Sequence, residues 1–265
     1  MDVRDDAPTN LVSVNETASE PPRPEDGINA PDALAVEATK INHRFAQQTL
    51  SPKATPLVLG DEWPGDADAP SQAPPAKRGF KYRRFDLNGL SVVVRTQIDA
   101  YMPSGGAQSE PLLVVQKALN EYADSNANDW RHKLDSQRGA VLATELKNNS
   151  AKLARWTACA LLADAQQIKL GYVSRARARD NTSHVLLGAQ TYNTADFAKQ
   201  INVFASNMWG ILEKLVKFVR GLDSGKYLLM KDPHKGVLRL FSVPEDAFDN
   251  DESDDESDDD ESGSD

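Results

Sequence analysis

The chain has 265 residues, 40% of them apolar, which is enough for one sizeable core. Its formal net charge of −10 misleads about the body, because 13 acidic residues and no basic one lie between Glu245 and Asp265, leaving 27 acidic against 30 basic residues elsewhere. A lone cysteine, Cys159, excludes an intrachain disulfide, no apolar run approaches the roughly 18 residues of a membrane span, and Met1 opens onto a polar run without signal-peptide order, so a cytosolic or nuclear protein without a membrane partner is expected.

Residues 1–31 hold one short strand-like run, Leu11–Val14, and then a proline- and acid-rich linker that can bury little. A helix is expected from Asp32, with Asp32 as its cap and Leu34, Ala38, Ile41 and Phe45 at three- and four-residue spacing. Thr39, Asn42 and His43 share its polar face. Residues 51–77 read as a long flexible insertion rich in Pro, Ala, Asp and Gly.

Two strand-like runs, KYRRFDL and LSVVVRTQID, flank Asn88-Gly89, the sequence of a type I′ hairpin turn. Another strand is expected in EPLLVVQKALNEY, and a short helix and a turn over 129–139. The apolar run Ala140–Ala143 is read as a strand continuing through Glu145 and Lys147, which would then emerge side by side on one face, as Gln97 and Asp99 do on theirs. Ser150 starts a helix with Leu153, Trp156, Ala160 and Leu161 on one side and Cys159 as a small core residue. Ile168–Ser174 and His184–Thr191 read as strands, 194–222 as one long core helix, and the body closes in a hairpin turned by Asp232-Pro233 and Gly236. The residues after Phe248 read as a disordered acidic tail, 249–265, in which Ser253 and Ser257 suit acid-directed kinases or simply belong to a solubilising segment.

Two groups of residues could carry chemistry. Asp99 with Glu145-x-Lys147 has the types a metal-dependent nuclease needs, carboxylates for a divalent cation and a lysine for the attacked phosphate; the plain alternative is an ordinary salt bridge. Basic and aromatic residues interleave in the run containing Arg83 and Arg84 and in the run containing Arg175 and Arg177. Such residues can pair phosphates and stack bases along an RNA backbone path, or can be a solvated strand face with aromatics in the core. The four histidines have no metal-ligand spacing, and no Walker loop or dinucleotide fingerprint appears, so neither a structural zinc nor a nucleotide cofactor is expected.

The words DWRHKLDSQRGAVLATELKNNSAKLARWTACALLA, KLGYVSR, HVLLGAQ, NMWGIL and GKYLLMKDPHKGVLRLFSVPEDAF, together with the earlier ALAVEATKINHRFAQQ, resemble the D-subunit family of eukaryotic translation initiation factor 3 from about Leu11 to Phe248. The resemblance implies an α/β fold, a mixed central sheet flanked by helices, built like the decapping exoribonucleases but lacking its N-terminal part, with a cap-binding domain over 32–248. It implies a protein that binds the messenger RNA 5′ cap and acts with the other subunits of the factor and, through them, the 40S ribosomal subunit in the cytoplasm, on selected messages and without enzymatic activity. Thr39, Asn42 and His43 look like the family's cap-contacting positions. Gln97, Asp99, Glu145 and Lys147 would be vestiges of a nuclease site, with Gln97 in place of a carboxylate and Cys159 in place of a glutamine. The competing reading is a metal-dependent decapping or RNA-cleaving hydrolase that uses Asp99, Glu145 and Lys147.

Overall fold

The computed structural model describes residues 3–4, 27–55, 57, 79–104, 110–121, 130–232 and 235–246. The strand expected at Leu11–Val14, most of the 51–77 insertion, Pro233 and His234 of the last turn, and the acidic tail with Ser253 and Ser257 lie outside the described residues. In chain order the elements are β1 (Val3–Arg4), a 3-10 turn (Gly27–Asn29), α1 (Pro31–Gln48), β2 (Gly79–Leu87), β3 (Leu90–Ile98), β4 (Ala100–Met102), β5 (Leu112–Asn120), α2 (Trp130–Asn148), α3 (Ser150–Ala163), β6 (Gln167–Arg177), β7 (Asp180–Asn193), α4 (Thr194–Gln200), α5 (Ala205–Val219), β8 (Lys226–Lys231) and β9 (Leu238–Val243). The chain divides into two compact units, Asn15–Glu213 and a smaller one of Met1–Val14 with Lys214–Asp265.

The larger unit is the expected α/β layer structure. Its sheet has the order β4-β5-β6-β7, with β5 and β6 parallel and the other two pairings antiparallel. β5 is buried on both faces, which is why LLVVQKALN reads as a nearly continuous apolar run rather than an alternating one. Its odd-numbered Leu119 joins Ile168, Leu170 and Tyr172 of β6 against Leu142, Leu153, Trp156 and Phe197 from the helices on one side. On the other side Ala118 and Val173 receive Ile41 and Phe45 of α1. The Phe45 ring lies so close over Gly171 that a Cβ at this position would collide with its edge. A separate two-stranded sheet, β2-β3, turns at Asn88 (φ 51°) and Gly89 (φ 86°); both central residues have positive φ, as the Asn-Gly sequence predicts for this turn.

The smaller unit has the strand order β1-β9-β8, with Leu240 and Phe241 buried. The N–H of Asp232 donates to the carbonyl of Val237 (2.9 Å), its carboxylate accepts from the N–H of Lys235 (3.0 Å), and Arg239 pairs with it. The turn residue expected to cap β8 therefore also ties down the first residues of the return strand.

Four expectations need correction. The run Ala140–Lys147 belongs to α2 rather than to a strand: Val141, Leu142 and Glu145 are buried at helical spacing, and Ala, Leu, Glu and Lys are all strong helix formers. The short helix expected over 129–139 is the first part of that helix, kinked at Gln137 (φ −130°). The single helix expected over 194–222 is two, because Asn202 takes a left-handed conformation (φ 57°) after α4; α5 buries no side chain fully, and Phe204 just before it and Ile211 within it are 52% and 47% exposed. Cys159 is exposed while its neighbour Ala160 is fully buried, so the cysteine lies on the outer face of α3 and not in the core. At the helix starts, α1 begins at Pro31, a favoured first-turn residue, so that Ala30 holds the cap position and Asp32, expected there, lies in the first turn; in α3 the cap position is Asn149, one residue before the expected Ser150.

Candidate functional site

The site is built around the side of β5 that faces away from β6. The N–H of Glu121 donates to the carbonyl of Val173 on β6, so the odd-numbered peptides of this strand serve β6 and the even-numbered ones point the opposite way. At Val114 the outward carbonyl accepts from the N–H of Asp99. At Gln116 the outward N–H donates to Asp99 Oδ2 (2.8 Å). At Ala118 both outward groups are taken by one side chain of α1, the N–H donating to Asn42 Oδ1 (2.9 Å) and the carbonyl accepting from Asn42 Nδ2 (3.1 Å). Buried backbone polar groups need partners, and here side chains supply them.

Asp99, whose side chain is 1% exposed, is saturated with donors. Oδ1 accepts from Gln97 Nε2 (2.5 Å), and Oδ2 accepts from the Gln116 N–H and from Lys117 Nζ (3.4 Å). Gln116 in turn accepts through Oε1 from the hydroxyl of Thr49 at the end of α1. The lysine beside Asp99 is therefore Lys117, a residue that sequence reasoning passed over. It lies in the run already read as a strand, as QK between apolar residues, a spelling with no signal of its own.

Glu145 and Lys147 do not form the expected pair. Two residues apart on a helix they point about 200° apart, and Glu145 is buried while Lys147 is exposed. Burial pushes the Glu145 carboxyl above its ordinary value, the nearby Glu121 charge adds to this, and the hydrogen bond from Asn149 Nδ2 (2.8 Å) and the charge of Lys152 oppose it. Among the described residues no group of three or more His, Cys, Asp or Glu gathers at a place that could hold a metal ion.

On α1, Thr39, Asn42 and His43 share one face. Thr39 and His43 are exposed; the Thr39 hydroxyl donates to the Ala35 carbonyl (2.9 Å), and His43 Nε2 shares a hydrogen bond with Gln47 Nε2 (2.5 Å). One turn earlier, buried Glu37 clamps the helix to the sheet. It accepts from Arg175 Nε (2.8 Å) and Nη2 (2.5 Å) and bonds His184 Nε2 (2.7 Å). Burial alone would raise the Glu37 carboxyl, but the hydrogen bonds and charges of Arg175 and His184 hold it below its ordinary value. The same guanidinium reaches Asn29 Oδ1 (2.8 Å) and the carbonyls of Ile28 and Ala178 (both 3.1 Å). A cleft of about 220 Å³ opens beside this clamp, lined by Leu34, Asn120, Glu121, Arg131 and Ser174 among others. Its charged groups are engaged: Arg131 donates to the Arg175 carbonyl (2.9 Å), and Glu121 accepts from the N–H of Trp130 (2.8 Å).

Each basic run divides into engaged and exposed arginines. Arg175 is held in the clamp, and Arg83 donates to the Leu162 carbonyl at the end of α3 (2.8 Å) and lies over the Phe85 ring (5.0 Å). Arg84 and Arg177 are exposed. Trp156 and Trp130 are buried, as core tryptophans would be, and Trp209 packs against Phe85 in a tilted arrangement with ring centroids 4.7 Å apart. No helix among the described residues is long and apolar enough to cross a membrane.

The sequence model of a family described as eukaryotic translation initiation factor 3 subunit 7 matches residues 1–242. The D-subunit of eukaryotic translation initiation factor 3 from Xenopus laevis is 47% identical over 256 residues, covering 95% of this chain and 46% of that protein. The human D-subunit is 45% identical over 256 residues with the same coverage. The chain thus spans slightly under half the length of these relatives. A crystal structure of Rai1 from Scheffersomyces stipitis covers 63% of this chain and 41% of its own at 14% identity, with a TM-score of 0.37, a likeness too slight to carry an argument.

Proposed function

The chain belongs to the D-subunit family of eukaryotic translation initiation factor 3, and from that premise we propose that it works in the cytoplasm as part of that factor, binding the messenger RNA 5′ cap and promoting initiation on selected messages. The observation that carries this reading is the identity of 45% or more over 95% of the chain with proteins named as the D-subunit. Its partners are then capped RNA, the other subunits of the factor and, through them, the 40S ribosomal subunit.

In this reading Thr39 and His43 present a hydroxyl and an imidazole to the cap, groups that can bond a nucleotide base or its phosphates. Asn42, with both ends of its amide on Ala118, holds α1 in place for them. Asp99 has a structural part: three donors fill its carboxylate, and its lysine is Lys117. The hydrolase alternative asks Glu145 and Lys147 to act beside Asp99, and a buried glutamate bonded to Asn149 with a lysine on the opposite helix face is a poor foundation for it.

The test uses the tagged full chain purified from cells with its associated proteins. Capped RNA is expected to be retained better than the same RNA uncapped, with the preference lost in a Thr39→Ala/His43→Ala variant and other subunits of the factor still co-purifying. Equal retention of both RNAs by the unaltered chain overturns the cap reading. Cleavage products that require Mg²⁺ or Mn²⁺ and vanish with Asp99→Ala would restore the hydrolase.

A further inference from the structure

The β2–β3 hairpin sorts its side chains into two sets. On the inner face Arg83 caps the end of α3 and Phe85 meets Trp209. The outer face carries Phe80, Tyr82, Arg84 and Asp86 from β2 opposite Gln97, Arg95, Val93 and Ser91 from β3. Phe80 is 47% exposed, Tyr82 49% and Val93 65%, and both arginines are exposed. The guanidinium of Arg95 lies over the Phe80 ring at 5.1 Å, so a positive charge is fixed beside an exposed ring.

These residue types match one class of ligand. Same-face neighbours on a strand stand roughly 7 Å apart, so Phe80 and Tyr82 offer two ring surfaces in sequence along the ribbon. Aromatic faces stack any base, and guanidinium groups take phosphates, which together bind single-stranded nucleic acid with little sequence preference. Among the eight outward positions the single acid, Asp86, is at the turn, where its Oδ1 accepts from the N–H of Gly89 (3.0 Å). A face with two arginines and its only acid engaged at one end favours a polyanion over an apolar protein surface.

We infer that the outer face of the β2–β3 hairpin binds single-stranded RNA, the body of a message rather than its cap, through Phe80, Tyr82, Arg84 and Arg95. The inference rests on the RNA-binding reading above but needs no cap recognition. It assigns the exposed half of the basic and aromatic run a role distinct from that of α1.

The experiment measures binding of a labelled, uncapped oligouridylate and, separately, of a methylated cap analogue to the full chain. In a Phe80→Ala/Tyr82→Ala variant the oligouridylate is expected to bind about tenfold or more weakly, with cap-analogue binding and the thermal midpoint unchanged. In an Arg84→Glu/Arg95→Glu variant the salt dependence of oligouridylate binding should fall by roughly 1.4 in log–log slope, two phosphate contacts' worth. Oligouridylate affinity that survives both variants, or is absent from the unaltered chain, overturns the inference. So does a result in which the variants keep RNA but release other subunits of the factor, since the face would then be a protein interface. If the unaltered chain ignores the cap analogue while the hairpin variants lose oligouridylate, the cap reading fails and this one stands.

Discussion

The α1 clamp and the β2–β3 hairpin both carry arginines drawn from runs that look alike in sequence, yet the two regions use them in opposite ways. In the clamp, Arg175 places its donors on Glu37, Asn29 and two backbone carbonyls, and the cluster is closed. In the hairpin, Arg84 and Arg95 remain exposed, while Arg83, one strand position from Arg84, is engaged. A single step along a strand exchanges a structural cation for one presented to solvent, because successive side chains point to opposite faces. Composition alone therefore overstates an RNA path by including residues that hold the fold together.

The contrast breaks first at Arg175. Its replacement by Ala leaves the Glu37 carboxylate buried with only the His184 hydrogen bond of the clamp, and a stability loss of about 3–5 kcal/mol is expected; a thermal midpoint close to that of the unaltered chain would show that the clamp is not a unit. Gly171→Ala drives a methyl group into the Phe45 ring and should cost about 1–3 kcal/mol, with Phe45→Leu in the same chain recovering part of it in denaturant titration. Asn42→Ala strips the Ala118 peptide of both partners, at about 1–3 kcal/mol, and hydrogen exchange at the Ala118 amide should accelerate.

The pH dependence sharpens the comparison within the core. Glu37 is held below the ordinary glutamate value of about 4.3, so its stabilisation is complete above that pH and is lost as the pH falls toward its folded-state value. Glu145 is raised by burial, so its ionisation opposes folding and stability declines as the pH rises through the ordinary value. Glu37→Gln should therefore destabilise the protein at neutral pH and much less in acid. Glu145→Gln should stabilise it at neutral pH, and the benefit should fade in acid. Unfolding curves across this range check both signs. The smallest effect belongs to the hairpin: Arg84→Ala should change stability by no more than about 0.5 kcal/mol.

What the sequence disclosed follows from where local chemistry decides structure. Asn88-Gly89 announced its hairpin because few other residues tolerate two consecutive positive φ angles, and β5 announced itself by a run too apolar for a one-sided strand. The stretch Ala140–Lys147 misled because four apolar residues beside a glycine are too short a sample to tell period two from period 3.6, and tertiary burial of Val141, Leu142 and Glu145 settles it. The site was half legible. Gln97 and Asp99 were rightly placed together, since neighbours two apart in extended chain share a face. Lys117 could not be matched to Asp99 without the pairing of β4 with β5, which brings distant segments into register.

A strand that shows unpaired N–H and C=O groups along one side is a template on which the strand of another molecule can assemble. At Ala118 the amide of Asn42 occupies the place that the peptide group of such a newcomer would take, donating and accepting as a neighbouring strand does. A helix here stands in for the missing strand by means of one side chain, and so fills part of the edge that a newcomer would need.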